Sequence, residues 1–179
     1  MSNKQGKEFS PEVVELVKRT VWMESRKLAV VVKAVYEEFG EAGLDTIRSA
    51  VREFGKQKGQ YFREEAGLTE EECDVEVALT RVYPEAHKHF APAGLDMERV
   101  KFGPKESETR VKSCGQLEAW REVWDKPWIM CEIFAASQDE GFMEGVNPKL
   151  KWHKHVERNG ANGLARGKEF PCTIGLKLP

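Results

Sequence analysis

The sequence predicts an α+β fold: N-terminal helices packed with a small antiparallel sheet built from two β-hairpins, with a helical segment between them. Three patterns predict it. Through the first half, apolar residues recur at steps of three and four, the period of a helix face. After Pro92 the pattern changes to alternation around Gly103-Pro104, and alternation returns after Asn147-Pro148 and again from Cys172, as expected of half-buried strands. Between these regions Leu117, Trp120 and Trp124 fall back to helical steps. Residues 1–179 are expected to form one α+β domain, mainly helical over 1–92 and strand-strand-helix-strand-strand over 93–179.

Ser10-Pro11 opens the first helix, because serine caps orphan amides and proline in the first turn loses no hydrogen bond. Val13, Val17 and Val21 line one face, and Leu28, Val32, Val35 and Phe39 continue it to a C-cap at Gly40, as one bent helix or two. Leu44, Ile47, Val51 and Phe54 form the stripe of a second long helix. Thr69 and Glu72 read as a capping box opening a third helix, with Val75, Leu79 and Val82 buried and Pro84 and Pro92 marking its end and the following loop. Arg99–Phe102 and Glu108–Lys112 read as the first hairpin. A helical run from Pro127 ends near Gly145, and Leu150–Val156 pairs with Cys172–Leu178 through the Gly-rich connection Asn159–Lys168.

Composition narrows the function. The 28 basic and 30 acidic residues leave a net charge of -2, without the basic excess of a nucleic-acid binder, so nucleic acid is not an expected partner. The most apolar run, Leu28–Tyr36, is interrupted by Lys33 and is far shorter than the ~20 residues of a membrane span. Residues 1–10 lack the apolar core of a secretory signal, so a cytoplasmic location with reduced thiols is expected. Cys73, Cys114, Cys131 and Cys172 contain no C-x-x-C pair, which argues against a structural zinc site. Asn159–Gly163 lacks the phosphate-loop arrangement, and no cofactor is expected. The expected partner is a small-molecule substrate; the broad apolar stripes of the first helices would also serve a homodimer.

Four groups of residues are candidates for chemistry. Cys114 stands where a strand hands over to a helix, and amides there favour a thiolate; the alternative is a small residue closing a strand. Glu132 and Asp139 are seven residues apart on one helix, placing both carboxylates on nearly one face about 10 Å apart, with Cys131 beside them. Asp139 lies among Phe134, Ala135 and Phe142, which would desolvate it, whereas a solvated face explains Glu132 equally well. The histidines form two His-Lys-His triplets, His87/His89 and His153/His155, and residues two apart share a strand face. No further ligand stands at metal spacing beside them, so a solvent-facing or pocket-lining role is expected and a metal is not. Cys172, alternating with Ile174 and Leu176, reads as a core thiol.

The segments Phe39-Gly40-Glu41-Ala42-Gly43-Leu44, Phe54-Gly55 with Lys58-Gly59, Cys114-Gly115-Gln116-Leu117-Glu118-Ala119-Trp120, and Asp139-Glu140-Gly141-Phe142-Met143-Glu144-Gly145-Val146-Asn147-Pro148-Lys149-Leu150, followed by Cys172, stand in a telling order and spacing. Together they resemble the L-2-amino-thiazoline-4-carboxylic acid hydrolase family of bacterial proteins, over most of the chain from about Phe39 onward. The resemblance implies a hydrolase that opens a small cyclic amidine or amide, such as a 2-aminothiazoline carboxylate. It implies catalytic work for Cys114, Asp139 and Cys172 and pocket shaping by Asn147, with Cys131, His153 and His155 as further substrate-binding candidates. This chain departs from the family pattern at Gly115, where proline is usual, at His153-Lys154-His155, and in a longer loop before Cys172. Either Cys114 attacks the ring carbon, or Asp139 or a histidine activates water. Lys151 or Lys154 would supply a cation for a substrate carboxylate. The alternative function is a non-catalytic small-molecule binding or sensor domain on the same fold.

Overall fold

In the computed structural model the described residues are 9–88, 94–156 and 172–179, excepting the side chains of 153–156 and 172. His89, Pro92 and the Asn159–Lys168 connection lie outside them. The α+β class is borne out: helices pack on a four-stranded antiparallel sheet.

Helix α1 (Pro11–Glu65) opens as expected, with the Ser10 hydroxyl accepting from the Val13 amide at 3.4 Å. At Gly40 the backbone turns to φ 60°, so the two expected helices run on with a kink and no loop between them. Only glycine adopts that conformation cheaply. Thr69 and Glu72 do bond, the Thr69 amide donating to the Glu72 carboxylate at 2.8 Å, but they close a turn rather than start a helix. The helix begins five residues later at α2 (Val75–Val77), capped by Asp74, whose carboxylate accepts from the Val77 amide at 2.8 Å.

That helix passes through a wide π turn, π1 (Ala78–Val82), into α3 (Tyr83–Ala86). Pro84 therefore does not end the helix, as the sequence suggested. The Tyr83 amide donates back to the Ala78 carbonyl, and Pro84, with no N–H to give, occupies the first turn of the next segment. Strands β1 (Asp96–Phe102) and β2 (Glu106–Ser113) form the expected hairpin. Helix α4 (Gly115–Arg121) follows, and then one continuous run of α5 (Pro127–Cys131), a second π turn π2 (Glu132–Ser137) and α6 (Gln138–Val146). Strands β3 (Lys151–Val156) and β4 (Cys172–Lys177) pair antiparallel, and β4 inserts beside β2, giving the order β1-β2-β4-β3.

Two apolar cores result. The first joins Ala29, Val32 and Leu44 of α1 to Leu117, Trp120, Ile129 and Met130. The second joins Cys73, Val75, Ala78 and Val82 to Phe142, Met143, Val146 and, from the sheet, Leu176. A close helix crossing connects them. A methyl group built on Gly55 would stand 2.2 Å from the Gln138 carbonyl oxygen, and one on Gly59 would stand 2.1 Å from that of Phe142. Reciprocally, Gly141 and Gly145 each leave 2.0 Å to the carbonyl oxygens of Arg52 and Lys56. Two G-x-x-x-G faces thus let α1 and α6 meet backbone to backbone, at the range of Cα–H···O contacts. Glu144 bonds Arg52 at 3.1 Å and Lys56 at 3.0 Å along one flank. At the end, buried Arg63 donates to Glu70 at 2.9 Å and to the Gly145 and Val146 carbonyls at 3.2 and 3.4 Å, capping α6.

Candidate active site

The crossing brings Lys58, beside Gly59, to the side of α6 that carries Asp139 and Phe142. Lys58 Nζ lies 3.3 Å from His87 Nε2 and 5.9 Å from the Phe142 ring centroid. His87 is buried, and its Nδ1 lies 3.0 Å from the Tyr83 carbonyl oxygen, which can only accept. The proton must therefore sit on Nδ1, leaving Nε2 to accept from Lys58. The Tyr83 ring lies on His87, centroids 4.0 Å apart, and meets Phe142 edge-on at 5.6 Å.

These groups share an apolar environment. Burial pushes the Lys58 ammonium below its ordinary pKa, opposed by the negative charge of Asp139. Burial, reinforced by the same carboxylate, raises the Tyr83 phenol well above its usual range, so it stays protonated. Asp139 is only 7% exposed. Tyr83 directly follows π1 and Asp139 comes two residues after π2, so each is set by a local widening of its helix, a feature common at functional sites.

Beyond Tyr83 a cleft of about 370 Å³ opens between the π1–α3 segment and the sheet, lined by Leu79, Tyr83, Arg99, Ser107, Thr109 and Trp152 among others. That size suits a small ring compound. Arg99 stacks its guanidinium 4.2 Å from the Phe102 ring centroid, and among the described residues no carboxylate lies within ion-pair distance of it. Trp152 Nε1 is buried without a hydrogen-bond partner among the described residues.

The residues singled out from sequence divide. Asp139 joins Lys58, Tyr83 and His87. Cys114 caps α4 in extended conformation, as expected, but packs with Cys131 against the first core, whereas Asp139's neighbours belong to the second. Glu132 pairs with Arg48 at 3.5 Å, the solvated-face reading. Asn147 is buried with its amide committed to backbone: Nδ2 donates to the Cys73 carbonyl and Oδ1 accepts from the Lys149 amide, both at 2.9 Å. It shapes the turn from α6 to β3. In the sheet Cys172 pairs with Val111 and Val156, His153 with Gly175 and His155 with Thr173. Among the described residues no three His, Cys, Asp or Glu side chains gather at metal-binding distance.

Residues 22–166 match the family described as L-2-amino-thiazoline-4-carboxylic acid hydrolase. The chain belongs to this family. The match starts earlier than the resemblance read from Phe39, takes in Lys58, Tyr83, His87, Arg99, Cys114 and Asp139, and stops short of Cys172. No curated protein matches. Among solved structures, a trafficking protein particle complex subunit 3 from Naegleria fowleri, covalently bound to palmitic acid, is similar with a TM-score of 0.44 and 11% identity, covering 88% of this chain and 96% of that one. Among the described residues no helix is long and apolar enough to cross a membrane.

Lys58, Tyr83 and Arg99 were not candidates from the sequence, and His87 was read there only as half of a His-Lys-His triplet. Lys58-Gly59 was visible as a shared segment, and G-x-x-x-G at both 55–59 and 141–145 was the signal that two helices meet closely enough to bury a lysine against an aspartate.

Proposed function

We propose that the protein hydrolyses a small cyclic amidine or amide bearing a carboxylate, of which a 2-aminothiazoline carboxylate is the type, by activating water rather than through a thiol. One observation carries this reading: four titratable side chains, Lys58, Tyr83, His87 and Asp139, converge in apolar surroundings directly behind a cleft that offers an arginine. Asp139 is the base, with Lys58 beside it holding its charge and His87 positioning Lys58. Water adds to the amidine carbon as it gives up that proton. Collapse of the tetrahedral adduct then breaks the bond to a ring heteroatom, which departs with a proton. The neutral Tyr83 phenol is the donor for charge gathering on the ring, and Arg99 anchors the carboxylate.

The test is turnover of 2-aminothiazoline-4-carboxylate, followed by mass spectrometry of the opened product. Asp139→Asn is expected to lower kcat at least ~100-fold. Arg99→Ala should raise KM, and Cys114→Ala should leave the rate near wild type. A rate lost with Cys114→Ala or Cys172→Ser but kept with Asp139→Asn would replace water activation by thiol attack. Thermal stabilisation by a ligand recovered unchanged would instead favour the sensor reading.

A further inference from the structure

Ser107 on β2 carries a hydroxyl that the protein leaves unused. The residue is only 6% exposed, yet among the described residues its hydroxyl makes no hydrogen bond. Buried polar groups almost always have a partner, so this one is expected to find it outside the chain. Its oxygen is not sealed off as Trp152 Nε1 is, and the residue lines the cleft, so the cleft is where that partner sits.

Pairing across the sheet gives the cleft two ends. Arg99 stands opposite Thr109, and Thr109 opposite Ile174, all three on the cleft wall. One row further, about 7 Å away along two residues of extended chain, Ser107 stands opposite Leu176 and Leu176 opposite Trp152. Tyr83 lies at the second row, its ring 6.4 Å from that of Trp152 and only 26° from parallel. A ligand whose carboxylate meets Arg99 beside Thr109 therefore lays its other end beside Ser107, on the side of Tyr83.

We infer, on the reading of this cleft as the substrate site, that Ser107 determines specificity for an amino-substituted ring: its Oγ accepts a hydrogen bond from the exocyclic N–H of the amidine while Arg99 holds the carboxylate. The amidine end of such a ligand offers N–H groups, and a serine oxygen has the lone pairs to receive one. A ring with hydrogen in place of the amine leaves the hydroxyl bare and loses that contact, which is how a site built to hydrogen-bond a substrate group discriminates against its absence.

Two aromatic analogues read this contact without turnover: 2-aminothiazole-4-carboxylate, which keeps the amine, and thiazole-4-carboxylate, which lacks it. In isothermal titration calorimetry of the full chain, wild type should prefer the amino compound by roughly 10-fold. Ser107→Ala should bind both alike, with a weaker Kd for the amino compound and an unchanged Kd for the other. A preference kept in Ser107→Ala overturns the inference, as do two affinities that fall together, since the hydroxyl then serves the fold or a cleft water. Wild type that binds neither compound, or both equally, overturns it as well. Urea denaturation is the second measurement: with no partner to lose in the free protein, Ser107→Ala should be at least as stable as wild type, and a marked loss would mean that the hydroxyl bonds within the chain. An amino preference that disappears in Ser107→Ala upholds the contact even where 2-aminothiazoline-4-carboxylate is not hydrolysed, whereas hydrolysis with the preference intact in the variant sinks the contact alone.

Discussion

Gly59→Ala offers the sharpest test of how the site is built. Helix propensity by itself predicts that replacing a mid-helix glycine by alanine stabilises the protein by about 1 kcal/mol. The geometry predicts the reverse. The new methyl would lie 2.1 Å from the Phe142 carbonyl oxygen, with the Phe142 carbonyl carbon at 2.9 Å, and neither backbone atom can swing aside as a side chain would. Relief to a normal carbon–oxygen contact of about 3.3 Å requires α1 and α6 to separate by roughly 1.2 Å. A gap of that size forfeits a quarter to a half of the dispersion energy across the crossing. Overpacking typically costs 1–3 kcal/mol, so a net destabilisation of about 1–3 kcal/mol is expected, or a fall in Tm of roughly 3–10 °C for a chain of this length. Urea denaturation of wild type and variant measures it. Gly103→Ala is the control, because its methyl would meet nothing nearer than 4.0 Å. Equal or higher stability of Gly59→Ala would refute the close crossing, and with it the placement of Lys58 beside Asp139.

Arg63→Met removes the donor shared by Glu70 and the Gly145 and Val146 carbonyls, and should cost about 2–4 kcal/mol in urea denaturation. For Lys58 the sign follows from burial: its folded pKa lies below 10.5, so within that window the unfolded chain binds more protons and folding is favoured as pH rises. Wild-type stability measured against Lys58→Met should therefore improve from neutral pH towards pH 10, and a pH-independent difference would contradict the buried amine. Of the three tyrosines, one should resist ionisation well above pH 10 in an ultraviolet absorbance titration, and Tyr83→Phe should remove that late step.

The sequence by itself determined the element types and most of their order. Period and punctuation are local properties: the cap at Ser10-Pro11, the hairpin around Gly103-Pro104 and the stop at Asn147-Pro148 act through neighbouring backbone groups. The π turn before Tyr83 was missed because Pro84 reads locally as a stop, whereas the segment is held helical by burying Val75, Ala78 and Val82. Which reactive residues meet was settled only by tertiary structure. Asp139 was legible as a carboxylate among apolar neighbours on its own helix, but its companions Lys58, Tyr83 and His87 arrive from segments more than 50 residues away in the chain. Cys114, equally promising in isolation, is carried to the other core because the crossing of α1 with α6 separates the two. Chemistry of this kind depends on distances of a few ångströms between remote side chains, and those distances are fixed by four glycines whose missing side chains leave no trace in any hydrophobic pattern.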